Sequence, residues 1–142
     1  MKTNSILVDT GPLVALLNRS DPQHLKCDEV AKTLRPPLFT CWPVITEAAY
    51  LLRRNSTAVS TLLTHCNGSL IDILPLGKED LASVDTIMKN YSDQKFDLAD
   101  ACLMHLATRD EIESVFTLDH RHFSVYRNRK GQMLNLVPQS LA

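Results

Sequence analysis

Four acidic side chains stand in otherwise apolar stretches of this sequence. Asp9, Glu47 and Asp100 are each the only formal charge in a run of more than ten residues. Asp119 directly follows the apolar run "SVFTL". Burying an ionised carboxylate costs free energy unless something compensates its charge. These stretches contain no Lys or Arg, so the pattern favours a bound cation.

The chemistry of such a set is that of a hard divalent ion. Mg²⁺ and Mn²⁺ take oxygen ligands, keep several waters and need few protein groups. Acids without His or Cys neighbours fit these ions and not zinc. An ion held in this way is a Lewis acid and lowers the pKa of a bound water, as metal-assisted hydrolysis requires. We therefore predict a Mg²⁺ or Mn²⁺ site whose ligands are Asp9, Glu47, Asp100 and Asp119.

Each acid also has a structural interpretation. Asp9 could stabilise the start of the helix that follows it, and Asp119 could begin a turn. Asp97 fits a helix N-cap, which places Asp100 at the third helical position, where an acid favours the helix dipole. Because Asp97 shares a helix face with Asp100, it is either an accessory metal ligand or a cap. Glu47 could be a partly exposed helix charge.

Predicted strands alternate with predicted helices along the chain. Apolar or alternating segments predict strands at 5–10, 36–42, 69–76, 114–119 and 133–138. Helical spacing predicts helices at 12–18, 21–34, 43–54, 56–66, 78–91 and 96–110. This order predicts an α/β fold, a three-layer α/β/α sandwich with a central parallel sheet of about five strands. The length of 142 residues is that of a single domain over 1–142.

These elements bring the acids together. Asp9 and Asp119 end two predicted strands, and Glu47 lies in the first two turns of a predicted helix. Asp100 lies in the first turn of another helix. Strand C-termini and helix N-termini share one edge of a doubly wound sheet, where such folds bind their ligands. We therefore expect the four carboxylates on one edge of the molecule, where crowding raises their pKa values.

Any binding of RNA needs a local basic patch, because the net charge is only −1. Segment 119–131 supplies such cations, namely Arg121, Arg127, Arg129 and Lys130. They are interleaved with the rings of His120, His122, Phe123 and Tyr126. Cations hold phosphates, and aromatic rings stack on unpaired bases. The alternative is a solvated surface loop. Phe123 is expected to lie in the core and to pin the loop after Asp119.

The cysteines indicate a reducing compartment. They are Cys27, Cys41, Cys66 and Cys102, which are widely spaced and form no C-x-x-C motif. This spacing argues against a zinc site and against a secreted disulfide framework. The apolar N-terminal run is broken by Asp9 and a Gly-Pro pair, so it is too short for a membrane helix. We expect a cytoplasmic protein without membrane contact.

Four segments occur in the order found in one protein family. They are "ILVDTGPLVALLN", "VITEAAYLL", "DLADACLMHLA" and "VFTLDHRHF". Over nearly the whole chain they resemble the PIN-domain ribonucleases, and most of all the VapC-like toxins of bacterial toxin–antitoxin pairs. The resemblance matches the family's four acids with Asp9, Glu47, Asp100 and Asp119. It also matches Thr10 and Thr117 with positions where the family often carries hydroxyls, which could orient a carboxylate or a water.

The resemblance implies an endoribonuclease that uses Mg²⁺ or Mn²⁺. It further implies an RNA substrate, a small antitoxin partner and a homodimer. No histidine matches the position of a general base. The family's "DAL" is "DAC" here, and Cys102 is expected only to pack.

Two other classes of protein stay open. An Asp-dependent phosphatase or phosphoacceptor domain also ends its first strand in Asp, but it needs a second acid nearby and a Lys on a later strand. "DTGPL" lacks that acid and "SVFTLD" lacks that Lys. The other class is a non-catalytic interaction or RNA-binding domain that kept the PIN fold, and the presence of all four acids argues against it.

Overall fold

A computed structural model describes residues 4–141 of the chain. Its strands are β1 (Ile6–Val8), β2 (Leu38–Thr40), β3 (Ile71–Ile73), β4 (Ser114–Phe116) and β5 (Asn135–Val137). They form one sheet in the order β3-β2-β1-β4-β5, and all neighbours are parallel. The predicted parallel sheet is confirmed. The strands are shorter than their predicted segments because residues such as Asp9 and Cys41 already cap the following helices.

Seven α-helices flank the sheet in the described part of the chain. They are α1 (Thr10–Leu17), α2 (His24–Ala31), α3 (Trp42–Leu51), α4 (Ser56–Asn67), α5 (Leu81–Asn90), α6 (Leu98–Arg109) and α7 (His120–Val125). Two short 3₁₀ turns cover Lys78–Asp80 and Ser92–Gln94. The result is the predicted α/β/α sandwich. No helix within residues 4–141 is long and apolar enough to cross a membrane.

The core is built around the central strands and α6. Leu7 in β1 and Val115 in β4 have no exposed surface, and they pair across the sheet. α6 is buried from Ala99 to Ala107, and it contacts α3 and α5. A helix that is apolar on all sides belongs in the interior. This explains why α6 carries a single formal charge, Asp100, before its last turn.

Helix α7 departs from the expectation of a basic loop over 119–131. Asp119 caps it, because the backbone N–H of His122 donates to Asp119 Oδ1 at 3.0 Å. Phe123 anchors it in the core with no exposed surface, as its apolar character suggested. A helix of six residues with one buried side chain has no periodicity from which it could be predicted.

Candidate metal centre

Asp9 lies at the carboxyl end of β1, and its carboxylate is fixed from two sides. Its Oδ1 accepts a hydrogen bond of 2.8 Å from the backbone N–H of Thr10, and its Oδ2 accepts one of 2.8 Å from the hydroxyl of Thr117. β1 and β4 are parallel neighbours, so the residues that follow them meet at one edge of the sheet. Asp9 is only 6% exposed. The structure therefore holds a carboxylate rigidly in the interior at this edge.

Thr117 connects Asp119 to Asp9. The backbone N–H of Asp119 donates to Thr117 Oγ1 at 2.8 Å, while that hydroxyl donates its own proton to Asp9. Thr117 has no exposed surface, and Asp119 is half-buried. Thr117 thus makes the contact expected of a supporting hydroxyl. Thr10 supports Asp9 through its backbone N–H instead.

Asp100 is positioned by the first turn of α6. Its backbone N–H donates to Asp97 Oδ1 at 2.8 Å, and the backbone N–H of Asp97 donates to Asp100 Oδ2 at 3.3 Å. This reciprocal pair is a capping box, so Asp97 has the N-cap role and Asp100 the third helical position that the sequence suggested. Asp97 is exposed and Asp100 is 5% exposed.

Glu47 is placed more loosely than the three aspartates. It is half-buried on α3 and forms no ion pair with any described residue. Partial burial, and then the negative charges of Asp97 and Asp9, raise the pKa of its carboxyl. Glu47 therefore lies close enough to Asp97 and Asp9 for their negative charges to raise its pKa.

A histidine lies within the acidic cluster. His122 Nδ1 is 3.1 Å from Asp100 Oδ2 and 2.8 Å from Asp119 Oδ2. The expectation of an acid-only cluster without a histidine nearby was wrong. The spacing Asp-x-x-His could have indicated this contact. Residues three apart lie on the same face of a helix, so His122 lies beside its N-cap residue Asp119 once α7 forms.

The carboxyl groups are short of positive charge. Burial first, and then the charges of Asp97 and Asp119, raise the pKa of Asp9 to about 6, although the hydrogen bonds from Thr10 and Thr117 oppose the rise. Burial first, and then the charges of Asp9 and Asp97, raise the pKa of Asp100 to about 7. In the described part of the chain, no Lys or Arg forms an ion pair with these acids. The expected crowding of the acids is therefore present.

The residues fit a divalent cation. One ligand atom each from Asp100, Asp119 and His122 lies within 4.8 Å of the others. Asp9 and Asp97 lie outside this tightest group but interact with it electrostatically, and Glu47 interacts with Asp9 and Asp97. The buried hydroxyl of Thr10 has no hydrogen-bond partner among residues 4–141. Hard and borderline metal ions take such buried oxygen atoms as ligands, because the ion balances their negative charge.

The candidate RNA-binding cations do not form one patch with the acids. Arg121 is exposed on α7, and Lys130 is exposed beyond it. Arg127 and Arg129 instead line a cavity of about 530 Å³ that also contains Asp80. Arg127 Nη1 donates to two backbone carbonyls within its own segment, at 2.6 and 3.0 Å.

The rings in that segment are not free to stack on bases. Phe123 has no exposed surface and Tyr126 is 4% exposed. The hydroxyl of Tyr126 lies 2.6 Å from Thr108 Oγ1. The stacking interpretation is therefore wrong for Tyr126, whereas the expected position of Phe123 in the core is confirmed.

A second buried aspartate lies at the other end of α6. Asp80 Oδ1 is 2.7 Å from His105 Nε2 and 3.1 Å from Arg109 Nη1, and its Oδ2 accepts from the backbone N–H of Gly77 at 2.8 Å. The hydrogen bond from Gly77, followed by those from His105 and Arg109, lowers the pKa of Asp80 to about 2. The hydrogen bonds of this group are satisfied by its own members, and no sequence pattern indicated it.

The fold and site together define an α/β protein with a buried acidic site at the carboxyl edge of a parallel sheet. The chain belongs to the PIN domain family, which matches residues 6–128. This match confirms the family resemblance of the four sequence segments.

Two proteins of Mycobacterium tuberculosis illustrate the likeness. The chain is 27% identical over 135 residues to ribonuclease VapC26 (strain ATCC 25618 / H37Rv), and the match covers 94% of this chain and 100% of that protein. The crystal structure of VapC20, a toxin that cleaves the sarcin-ricin loop, superposes with a TM-score of 0.76 at 18% identity. That superposition covers 82% of this chain and 92% of the other. It supports the fold of the chain described above.

Proposed function

We propose that the protein is an endoribonuclease that hydrolyses RNA phosphodiester bonds with Mg²⁺ or Mn²⁺. The observation that carries the proposal is the burial of Asp9 and Asp100 at the sheet edge, where the charge of Asp9 raises the pKa of Asp100 and no Lys or Arg within residues 4–141 pairs with either acid. Membership of the PIN domain family and the likeness to a protein named ribonuclease VapC26 support the same activity. The proposed ligands are Asp9, Glu47, Asp100 and Asp119, with Asp97 as an accessory acid as well as a cap.

Each residue has a defined task in this proposal. Asp100 and Asp119 present their oxygens to the ion from the ends of two different elements. Thr117 and the backbone N–H of Thr10 fix the orientation of Asp9, so that its carboxylate does not have to reorganise during the reaction. The ion, when bound, supplies a Lewis acid for the scissile phosphate and activates a water at neutral pH. Glu47, which is half-buried on α3, is the fourth proposed ligand.

Charge balance explains why substrate binding needs the ion. A cluster of carboxylates repels an RNA phosphate, and a bound divalent cation reverses the sign of that interaction. Basic side chains further along the chain then hold the backbone of the RNA; they are Arg121, Arg127, Arg129 and Lys130. We place Arg121 closest to the scissile bond because α7 begins directly after Asp119.

We further propose that the protein is the toxin of a toxin–antitoxin pair. The likeness to two mycobacterial proteins, ribonuclease VapC26 and the VapC20 toxin, supports this role. In this proposal a small antitoxin covers the acidic edge, and the toxin acts in the cytoplasm as a homodimer of one-domain chains. Co-expression with a small protein encoded beside it tests the role, because the antitoxin must restore growth that the nuclease alone suppresses.

Cleavage of RNA by the purified protein tests the activity directly. The full chain is incubated with RNA and Mn²⁺ or Mg²⁺, and a chelator control removes the ion. The variant Asp100→Asn keeps the size of the side chain and lowers the rate at least about 100-fold. Asp93→Asn, at an exposed position before α6, is the matched control and keeps full activity. Undiminished cleavage by Asp100→Asn, or cleavage in chelator, contradicts the proposal, and a phosphomonoester substrate tests the phosphatase alternative.

A further inference from the structure

His122 brings the only ring nitrogen that contacts these acids in the described part of the chain. His24 Nδ1 lies 2.7 Å from a backbone carbonyl, and His105 Nε2 lies 2.7 Å from Asp80 at the far end of α6. His122 Nδ1 lies against both Asp100 and Asp119. The imidazole therefore adds a donor of a different chemical type to a set of oxygens.

Local structure fixes the position of this nitrogen. Asp119 caps α7 by accepting from the backbone N–H of His122, so the ring is placed three residues along from the cap. Phe96, which is 5% exposed, packs edge-on against the imidazole with ring centroids 5.2 Å apart. The nitrogen is held at the carboxylates by a helix start on one side and a core ring on the other.

The distances are those of adjacent ligands around a small ion. Bonds of about 2.1 Å at right angles place neighbouring ligand atoms about 3 Å apart. His122 Nδ1 is 3.1 Å from Asp100 Oδ2 and 2.8 Å from Asp119 Oδ2. An ion bound among these three side chains would therefore replace the contacts that they now make with one another.

We propose that His122 Nδ1 is a ligand of the divalent ion, beside Asp100 and Asp119, and that it makes the site prefer Mn²⁺ to Mg²⁺. Mg²⁺ strongly favours oxygen ligands, whereas first-row transition ions bind imidazole nitrogen well. The inference rests on the proposed function, because the ion is the one that the nuclease uses. It assigns to this chain a nitrogen ligand in addition to the carboxylates.

Spectroscopy of the bound ion tests the ligand without relying on activity. Electron spin-echo modulation of the full chain loaded with Mn²⁺ shows a directly coordinated nitrogen, and selective ¹⁵N labelling of histidine changes that coupling. The measurement on the unmodified protein does not depend on whether a variant folds. A Mn²⁺ complex with no coordinated histidine nitrogen overturns the inference.

Matched variants identify which histidine is responsible. In His122→Asn, an amide replaces the ring nitrogen, the coupling disappears, and the Mn²⁺ affinity measured by titration calorimetry falls about tenfold or more. The Mg²⁺ affinity falls less, by about threefold at most, because Mg²⁺ favours oxygen ligands. The preference of the site for Mn²⁺ over Mg²⁺ therefore decreases. His120→Asn, two residues away and outside the cluster, retains the coupling and both affinities. Loss of the coupling in His120→Asn instead of His122→Asn contradicts the assignment.

The same titrations separate this inference from the proposed function. If the unmodified protein binds neither ion, the proposed metal-dependent activity fails as well. If it binds Mn²⁺ and loses the ion in Asp100→Asn, while His122→Asn binds both ions as the unmodified protein does, only the role of His122 fails.

Discussion

Two buried aspartates lie at opposite ends of α6, and their surroundings are opposite in charge. Asp100, in the first turn, and Asp80, beside the last turns, are both 5% exposed. Other carboxylates surround Asp100, and its pKa is raised to about 7 by burial and then by those charges. Asp80 receives a backbone N–H, a histidine and Arg109, and its pKa is lowered to about 2. The pKa shifts are therefore opposite at the same exposed fraction, because burial and neighbouring carboxylates dominate at Asp100 in spite of its contact with His122, whereas hydrogen bonds dominate at Asp80.

The contrast separates a structural carboxylate, Asp80, from one for which we propose a function, Asp100. The contacts of Asp80 tie α5 and its 3₁₀ start to α6, and they leave no charge in need of a ligand. The contacts at the sheet edge orient the carboxylates but leave their charge under-compensated. Folded proteins tolerate such uncompensated negative charge mainly at sites that bind a charged ligand. Removal of a charge should therefore have opposite consequences at the two ends of α6.

The largest effect is expected from Asp9→Asn on cleavage. The rate should fall at least about 100-fold, because the variant loses a proposed ligand oxygen and its charge. The melting temperature of the metal-free variant should stay equal or rise, since the substitution relieves repulsion among buried acids. Cleavage and thermal melting of the same preparation measure both, with Asp72→Asn on an exposed strand position as the control. A variant that is both unstable and active would contradict this account.

The metal-free protein should lose stability as the pH rises from about 4 to about 7. Asp9 and Asp100 have folded-state pKa values of about 6 and about 7, above the ordinary 3.8, so the folded protein binds more protons than the unfolded chain in this interval. Stability then falls by about 1.4 kcal/mol per pH unit for each extra proton bound. Saturating Mn²⁺ should remove this loss. Urea unfolding at several pH values, with and without Mn²⁺, measures both slopes, and a flat metal-free profile would argue against the crowded site.

Asp80→Asn should affect stability and not cleavage. The substitution removes the buried negative charge that faces His105 and Arg109, while Arg109 keeps its ion pair with Asp110, and it costs about 2 kcal/mol. The free energy of unfolding of the variant should also fall less steeply than that of the unmodified protein as the pH decreases below about 4. The lowered pKa of Asp80 gives stability that is present above about pH 4 and is lost as the pH falls towards 2.

The control is Asp85→Asn, at an exposed ion pair with Lys89, which should change the free energy of unfolding by less than about 0.5 kcal/mol. Loss of cleavage per folded molecule in Asp80→Asn would show that the two ends of α6 are not independent.

The smallest effect is expected from Thr117→Val. The variant keeps the shape of the side chain but removes the hydroxyl between Asp9 and Asp119. The cleavage rate should fall about tenfold, because a misoriented carboxylate binds the ion less well. Thr117→Ser retains the hydroxyl and should recover most of the rate. Equal rates in the Val and Ser variants would mean that Thr117 only fills space.

Much of the fold could be predicted because its signals are local. Apolar runs give the five strands, and helical periodicity gives the six helices of eight or more residues. α7 could not be predicted, since only Phe123 is buried in its six residues. The position of His122 depends on that helix, so the nitrogen in the cluster was missed with it.

The site shows the same division between local and long-range information. The acids could be predicted because each stands alone in an apolar segment, and the parallel topology then brings them to one edge. The Asp80 cluster could not, because His105 is 25 residues further along the chain and the pair exists only when α5 packs on α6. Contacts that depend on the packing of two helices leave no trace in either segment alone.

The position of a bound ion tests the central claim most directly. Crystals of the full chain soaked in Mn²⁺ and measured near the manganese absorption edge should show an anomalous peak within about 2.2 Å of carboxylate oxygens of Asp100 and Asp119. The same peak should be absent from crystals of Asp100→Asn. A saturating soak that gives no peak at this edge of the sheet, or gives one only elsewhere on the molecule, would contradict the account.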